Sequence, residues 1–344
     1  DADMVSMARP FLADANFVIK AAAGRADTIN TCIGCNQACL DLVFTGQFCS
    51  CLVNPFACHE LDVTVEPAKT PRKIAVVGAG VAGMAAATLL AERGHLVSLF
   101  EAASETGGQF NLARKIPGKE EFSETLRYFN VRMKDLKVDL QLNRRVTAVD
   151  MKDFDNVVVA TGVVPRNPPI PGVDHAKVSS YPDLINGRKK AGKKVALIGA
   201  GGIGFDVAEF LSHTGEHGLD PASPENIAHY QKEWGIDINY TDNRGGLTAP
   251  KVDAPVREIY LLQRKSSKLG EGLAKTTGWS RRLLLQKRGV HLMGGVEYQK
   301  IDDAGLHIVI DGKPQVLDVD TVVICAGQES CRDLVDGLTT AGIE

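Results

Sequence analysis

Four cysteines near the start of the chain have a spacing that suits metal-cluster chemistry. They follow the pattern C-x2-C-x3-C-x11-C and are Cys32, Cys35, Cys39 and Cys51. Three thiolates in quick succession, followed by a fourth, favour a four-iron, four-sulfur ([4Fe-4S]) cluster. Structural zinc sites more often combine two separate C-x2-C pairs. Zinc, disulfides and free thiols remain alternatives, Cys49 could replace Cys51 as the fourth ligand, and Cys58 is a weaker candidate.

A glycine-rich turn marks the first predicted nucleotide site. Lys73 to Val77 is a short apolar run typical of a buried parallel strand, and Gly78, Gly80 and Gly83 follow it in the order G-x-G-x-x-G. In such a strand–turn–helix unit the glycines make the tight turn, admit a pyrophosphate and let the helix pack closely. Glu101 lies 18 residues after Gly83, where a carboxylate can accept hydrogen bonds from a ribose.

The same pattern occurs a second time in the chain. The predicted strand Lys194 to Ile198 is followed by the glycines Gly199, Gly201 and Gly204. A polar insertion from Thr214 to Pro255 separates this turn from the next predicted strand, Arg257 to Leu262. Arg264 and Lys265 come after that strand in place of an acid, and basic side chains there can bind a ribose 2′-phosphate. The pattern favours NADP(H) over NAD(H), and the alternative is two solvated surface charges.

The composition limits the classes of partner and location. A chain that is 44% hydrophobic and 24% charged is typical of a globular protein. A net charge of −3 without a basic block argues against nucleic acid and anionic membranes, and no apolar run approaches the ~20 residues of a membrane helix. Eight cysteines without a secretory signal predict a reducing, cytoplasmic location. No histidine or serine lies in the pattern of a nucleophilic catalyst, so no catalytic side chain is assigned.

Four further motifs resemble one enzyme family. They are Met7-Ala8-Arg9-Pro10, Cys32-Ile33-Gly34-Cys35-Asn36-Gln37-Ala38-Cys39, Gly107-Gly108-Gln109-Phe110 and Thr276-Thr277-Gly278-Trp279. Together with the two glycine turns, they make the chain similar to the iron–sulfur branch of the Old Yellow Enzyme family. Within that branch the chain looks like the bacterial NADPH-dependent 2,4-dienoyl-CoA reductases, and the resemblance extends over nearly the whole sequence.

The resemblance implies an electron path and its cofactors. In that family NADPH reduces FAD, a [4Fe-4S] cluster carries single electrons to FMN in a TIM barrel, and FMN reduces a 2,4-dienoyl-CoA in fatty acid β-oxidation. The residues that match FAD contacts, or lie beside the expected ribose site, are Gln37, Ala82, Glu101, Gly108, Gln109, Lys119 and Val146. Ala8 and Arg9 match the FMN-phosphate end of the barrel. The four spaced cysteines match the cluster ligands, and Arg264 and Lys265 match the 2′-phosphate site.

The expected fold is α/β, with two nested Rossmann-like dinucleotide-binding domains of the two-dinucleotide flavoprotein type. The predicted segments are 1–30, the last β/α unit of a TIM barrel; 31–70, the cluster segment and linker; 71–162, the first part of the FAD-binding domain; 163–318, the NADP(H)-binding domain; and 319–344, the second part of the FAD-binding domain. The first segment is expected to contain a strand over Asp3 to Met7 and a helix over Phe11 to Ala23, with Asp14 as its cap.

Most of such a barrel lies outside the sequence, so we expect the reductase half of a larger enzyme, monomeric or weakly homo-oligomeric. It would meet its dienoyl-CoA substrate through the barrel. One alternative is the electron-transfer half of a related enoate reductase or amine dehydrogenase, and another is a non-catalytic nucleotide-binding scaffold. The cysteine spacing argues against the scaffold. The intact second turn, with Arg264 and Lys265, argues against a nicotinamide site that has decayed.

Overall fold

The computed structural model of the chain describes residues 2–213, 223–241 and 245–343. The chain forms two compact units. The first unit comprises residues 1–114, 121–164 and 329–344, and the second comprises residues 115–120 and 165–328. The predicted polar insertion lies partly outside the described residues. Among those described, no helix combines the length and the apolar character needed to cross a bilayer.

The best-buried strands are short apolar runs, as expected of parallel strands covered on both faces. The strands are β1 (Lys73–Val77), β2 (Leu96–Phe100), β3 (Asp139–Gln141), β4 (Asn156–Val159), β5 (Val163–Pro165), β6 (Val178–Ser180), β7 (Lys194–Ile198), β8 (Glu258–Leu262), β9 (His291–Met293), β10 (Glu297–Asp302), β11 (Gly305–Ile310), β12 (Lys313–Leu317), β13 (Thr321–Ile324) and β14 (Gln328–Ser330). In both β1 and β7, every residue after the first is buried.

Most helices lie between strands, as in an α/β fold. They are α1 (Arg9–Ala13), α2 (Phe17–Ala22), α3 (Leu40–Val43), α4 (Val81–Glu92), α5 (Phe110–Ala113), α6 (Phe122–Asp135), α7 (Tyr181–Ile185), α8 (Gly202–Ser212), α9 (Pro224–Trp234), α10 (Gly278–Lys287) and α11 (Asp333–Thr340). Single 3-10 turns cover Ala26–Thr28 and Ala148–Met151. Helix α9 is the described helix of the polar insertion.

The first unit is built on a parallel sheet with the strand order β3-β2-β1-β4. β1 pairs with β2 from Lys73↔Leu96 to Val77↔Phe100. Helix α4 connects these two strands and buries Met84 and Ala87 completely in the same apolar cluster as Leu99 of β2. The small residues of α4 allow this close packing, so the glycine turn is fixed between a buried strand and a buried helix.

The second unit repeats this arrangement and extends it. Its parallel sheet has the strand order β6-β13-β7-β8-β9, and an antiparallel meander has the order β10-β11-β12. Ile301 and Leu306 of the meander share an apolar core with Ile198 of β7 and Leu262 of β8. Parallel sheets with connecting helices in both units confirm the predicted α/β, Rossmann-like fold.

The domain boundary predicted between residues 318 and 319 lies ten residues later in the structure, after residue 328. Strand β13 was expected in the FAD-binding domain, but it pairs with β6 and β7 in the second sheet. The second unit therefore continues to residue 328 and also includes residues 115–120. β13 and β4 are both apolar strands followed by small residues. The sequence pattern does not distinguish between their sheets, because the choice depends on tertiary pairing.

The N-terminal segment also differs from its prediction. Residues 3–7 form no strand, and Met4 and Val5 are exposed. A barrel strand forms hydrogen bonds with strands on both sides, and the described residues supply none here. The helix predicted over residues 11–23 is divided into α1 and α2. Asp14 ends α1 and accepts a hydrogen bond from the Asn16 N–H at 3.0 Å, so it lies between two helices and does not begin one.

Candidate functional site

The first glycine turn excludes side chains at two positions. Gly78 has φ +105°, and a Cβ there would lie 2.4 Å from the carbonyl oxygen of Ala160. A Cβ on Gly83 would lie 1.8 Å from the carbonyl oxygen of Gly78. Gly80 precedes α4 as its N-cap and provides no side chain to the amides of the first helical turn. These amides can therefore bind an anionic group such as a pyrophosphate.

The carboxylate of Glu101 lies against this turn. Its two oxygens accept hydrogen bonds from the backbone N–H groups of Ala79 and Ala103, each at 2.8 Å. Gly107 donates its N–H to the carbonyl oxygen of Ala79 at 2.7 Å, which joins the second glycine stretch to the first. Gly108 follows with φ +53°, and a Cβ there would be 3.2 Å from the Cα of Gly80. The turn, the acid and the Gly107–Gly108 stretch are thus held together by backbone contacts.

The other residues predicted to contact FAD have separate local environments. Ala82 is exposed in the first turn of α4, and Gln109 donates its side-chain amide to the carbonyl oxygen of Val163 at 2.7 Å. Val146 packs against the apolar cluster that contains Phe100. Gln37 is exposed in the cysteine segment. Ala8, which was predicted to lie near an FMN phosphate, is also exposed and also precedes the first sheet. Their roles in binding a cofactor stay predictions.

Lys119 lies in the second unit. Its amine donates to both carboxylate oxygens of Asp206, at 2.7 and 2.6 Å. Arg281 donates to the same carboxylate at 2.5 Å. This ion-pair network was not predicted from the sequence. The signal that could have found it is the acidic pair Asp206 and Glu209, which lies one turn apart in the otherwise apolar helix α8. Burial raises the pKa of Glu209.

The four spaced cysteines line one pocket in the first unit. Its lining residues are Arg9, Leu12, Cys32, Ile33, Cys35, Asn36, Cys39, Cys51, Leu52 and Val53. Neither Cys49 nor Cys58 is among them, so this geometry favours Cys51 over Cys49 as the fourth ligand. Arg9, which was predicted to lie at an FMN phosphate, contributes to this thiol pocket.

The donor set of the thiol pocket is compatible with a [4Fe-4S] cluster. Among the described residues, no three His, Cys, Asp or Glu side chains are placed to bind one metal ion. Thiolates around one zinc ion lie ~3.8 Å apart, as tetrahedral Zn–S bonds of about 2.3 Å require. A [4Fe-4S] cluster holds its four thiolates farther apart around a larger core. Four thiols around a common cavity are therefore the donor set that such a cluster requires.

Backbone amides point at two of these thiols. Burial raises the pKa of the Cys35 and Cys51 thiols, while a hydrogen bond from the N–H of Gln37 to Cys35 opposes that rise. The N–H groups of Val53 and Asn54 do the same for Cys51. N–H···S bonds of this kind stabilise thiolates and adjust the potential of a bound cluster. Gln37 thus acts on the thiol pocket through its backbone.

The second glycine turn reproduces the geometry of the first. Gly199 has φ +113°, and a Cβ there would lie 2.6 Å from the carbonyl oxygen of Cys325. A Cβ on Gly204 would lie 1.9 Å from the carbonyl oxygen of Gly199. Gly201 is the N-cap of α8, again without a side-chain cap. Both turns therefore provide free helix amides at the carboxyl end of a buried parallel strand.

Arg264 and Lys265 follow β8, the strand that pairs with β7 up to Ile198↔Leu262. They are therefore on the strand next to the second turn, where a Rossmann domain recognises the adenosine ribose. Both side chains are exposed, and neither takes part in an ion pair within the described part of the chain. Gln263 donates its side-chain amide to the carbonyl oxygens of Lys265 and Ser267, at 3.0 and 2.5 Å. These bonds shape the loop that presents the basic pair.

Comparison with known proteins places the chain among flavin-dependent oxidoreductases. It is 32% identical over 343 residues to the metal reductase of Desulforamulus reducens, covering 98% of this chain and 49% of that protein. The solved structure of a 2-naphthoyl-CoA reductase in complex with 2-naphthoyl-CoA matches 99% of this chain with a TM-score of 0.83 at 29% identity, over 46% of its own chain. The 6-hydroxypseudooxynicotine amine oxidase of Pseudomonas geniculata matches 98% of this chain, with a TM-score of 0.78 at 25% identity, over 48% of its own chain.

The chain thus spans about half the length of these relatives. The family model for pyridine nucleotide-disulphide oxidoreductases matches residues 72–344. That range contains both glycine turns, Glu101 and the Arg264–Lys265 pair, which are the nucleotide-binding features described above. The chain therefore belongs to the pyridine nucleotide-disulphide oxidoreductase family.

Proposed function

We propose that this chain is the NADPH-oxidising half of a flavin- and iron–sulfur-dependent reductase. FAD would bind at the first glycine turn, NADPH at the second, and a [4Fe-4S] cluster in the thiol pocket. The observation that carries the proposal is the grouping of Cys32, Cys35, Cys39 and Cys51 around one cavity, in the same unit as the first glycine turn. A nucleotide-binding scaffold without redox chemistry would need no such set of thiols.

The residues of the chain have separate tasks in this proposal. The helix amides after Gly80 and Gly201 would bind the two pyrophosphates, and Glu101 would exchange its backbone hydrogen bonds for bonds from the FAD ribose. A bound flavin supplies the ability to take two electrons together and release them singly, which a cluster needs from its donor. The thiol pocket, with its N–H donors at Cys35 and Cys51, would hold the cluster and adjust its potential.

NADPH is favoured over NADH by charge. An NAD-specific Rossmann site has an acid after the second strand, which accepts hydrogen bonds from the free ribose hydroxyls. Here Arg264 and Lys265 occupy that position, exposed and without ion-pair partners in the described residues. Two unpaired cations suit a 2′-phosphate, because charge-assisted hydrogen bonds to phosphate are among the stronger polar contacts.

The finer proposal concerns the electron acceptor. By resemblance, electrons would pass to FMN in a barrel domain, with Ala8 and Arg9 at its phosphate end, and reduce a 2,4-dienoyl-CoA in fatty acid β-oxidation. Similarity to a 2-naphthoyl-CoA reductase supports a conjugated acyl-CoA thioester as the substrate class. The alternative is the electron-transfer half of an enoate reductase or amine dehydrogenase, which the similarity to an amine oxidase supports. We propose a monomer or weak homo-oligomer.

The test is an anaerobic titration of the purified chain, reconstituted with FAD, iron and sulfide, and monitored by visible absorbance. NADPH should bleach both the flavin band and the broad cluster absorbance, and added ferricyanide should restore them. A chain that takes up FAD but is not bleached by NADPH would contradict the nicotinamide assignment. A flavin that is bleached without any broad cluster absorbance would contradict the cluster assignment.

A further inference from the structure

One buried hydroxyl in the second unit has no hydrogen-bond partner. The hydroxyl oxygen of Tyr298, in β10, is inaccessible to solvent, and no described group donates to it or accepts from it. Two other tyrosines of the second unit, Tyr260 and Tyr181, have partners for their hydroxyls. Tyr260 donates to Glu258 at 2.5 Å, and Tyr181 accepts from the side-chain amide of Gln328 at 2.9 Å. A buried hydroxyl that lacks a partner destabilises the folded protein, so its presence calls for a reason.

The backbone attaches Tyr298 to the loop of the basic pair. Gln263 donates its N–H to the carbonyl oxygen of Met293 at 3.0 Å, and Val296 donates back to Gln263 at 3.0 Å. Gly295 donates its N–H to the carbonyl oxygen of Lys265 at 2.9 Å. The residues that precede β10 are thus paired with the residues on both sides of Arg264. Tyr298 comes two residues after the last of these bonds.

The electrostatics point to the same neighbour. Burial raises the pKa of the Tyr298 phenol well above its usual range, so the hydroxyl stays neutral and can both donate and accept. Arg264 provides the charge that opposes this rise. The guanidinium of Arg264 is exposed and forms no ion pair with any residue described. An unsatisfied acceptor therefore lies within electrostatic reach of an unsatisfied cation, on a loop fixed by backbone hydrogen bonds.

We propose that the Tyr298 hydroxyl positions Arg264 for the 2′-phosphate of the nicotinamide nucleotide. With nucleotide bound, the guanidinium would donate one hydrogen bond to Tyr298 and two to the phosphate, which its five donors permit. Tyr298 acts through Arg264 and is a positioning residue for cofactor specificity. The inference rests on the proposed use of NADPH.

The test compares nucleotides that differ only by the 2′-phosphate. Dissociation constants of the wild-type chain and of Tyr298→Phe are measured by calorimetry with adenosine 2′,5′-bisphosphate and with 5′-AMP. We expect Tyr298→Phe to weaken the bisphosphate by about tenfold, or ~1.4 kcal/mol, and to leave AMP unchanged. In an Arg264→Ala background the same change should have no further effect. Tyr260→Phe is the matched control, because that hydroxyl already has a partner.

The outcomes separate the two levels of the proposal. If the wild-type chain binds both nucleotides equally, the use of NADPH is wrong and the inference falls with it. If the wild-type chain prefers the bisphosphate and Tyr298→Phe keeps the full preference, or if Tyr298→Phe weakens both nucleotides equally, the positioning role alone is wrong. Thermal unfolding provides an independent readout, because removing an unsatisfied buried hydroxyl should leave the Tm unchanged or raise it. A lowered Tm together with equal losses would show a merely structural tyrosine.

Discussion

Replacing glycines in the two turns by alanine separates cofactor binding from folding. In Gly83→Ala the new Cβ would begin 1.8 Å from the carbonyl oxygen of Gly78, while ordinary contact begins at 3.4 Å. The helix or the turn must therefore move by about 1.6 Å, the difference between these distances. Overpacking of this kind costs roughly 1–3 kcal/mol and lowers the Tm of a domain of this size by ~2–10 °C. It should also abolish FAD binding, because the amides of α4 move with the helix.

Gly80→Ala provides the contrast. Gly80 has φ −70°, and a Cβ there would meet no atom within 4 Å, so the protein should fold with an unchanged Tm. The methyl group would nevertheless occupy the space through which a pyrophosphate approaches the backbone. We expect FAD affinity, measured by flavin fluorescence during titration, to fall by about tenfold or more. Gly201→Ala should do the same to NADPH and spare FAD.

Two results would refute this reasoning. Gly80→Ala with wild-type FAD affinity would show that the flavin nucleotide does not approach this turn. Gly83→Ala with an unchanged Tm would show that the packing of α4 on β1 is looser than the structure indicates. Gly118→Ala is a useful reference for strain alone, because Gly118 has φ +80° and open space around it.

Other predictions concern the second unit and the intact chain. The double variant Arg264→Ala/Lys265→Ala should lose ~100-fold in kcat/KM with NADPH, because two exposed charge-assisted hydrogen bonds contribute about 3 kcal/mol. Its kcat/KM with NADH should be unaffected. Equal losses with both cofactors would show that the pair has a structural role. Asp206→Asn should destabilise the second unit by roughly 1–3 kcal/mol in thermal unfolding, because it removes the carboxylate charge that Lys119 and Arg281 both contact; an unchanged Tm would contradict this. With added FAD, the chain should reduce ferricyanide but no dienoyl-CoA, and dienoyl-CoA turnover by this chain alone would overturn the division into two halves.

The local parts of the fold were predictable from the sequence. β1 has the predicted ends and α4 follows the first glycine turn as predicted, because an apolar run, a glycine turn and a small-residue helix each depend on neighbouring residues. The sheet of β13 was not predictable, since its pairing with β7 joins residues more than a hundred positions apart. The strand expected over residues 3–7 failed for a related reason. A strand's existence depends on partners that its own pattern does not contain.

The candidate site likewise contains residues that were predictable from the sequence and residues that were not. The glycines, Glu101 and the basic pair were found because each occupies a fixed offset from a strand. Spacing favoured Cys51 and left Cys49 as an alternative, and the folded backbone brings Cys51 to the thiol pocket. The partner of Lys119 lies 87 residues away, at Asp206, and the unsatisfied hydroxyl of Tyr298 is a property of packing. The acidic residues in the otherwise apolar helix α8 are a sequence signal for the first, whereas the second has no signature in the sequence.

The most direct test of the central claim is the iron and sulfide content of the anaerobically purified chain and two single variants. The thiol pocket predicts about four irons and four sulfides per chain. It also predicts a marked loss in Cys51→Ser, which removes a lining thiol, and no loss in the matched control Cys49→Ser. Stoichiometric zinc without broad visible absorbance, or a loss confined to Cys49→Ser, would contradict the account.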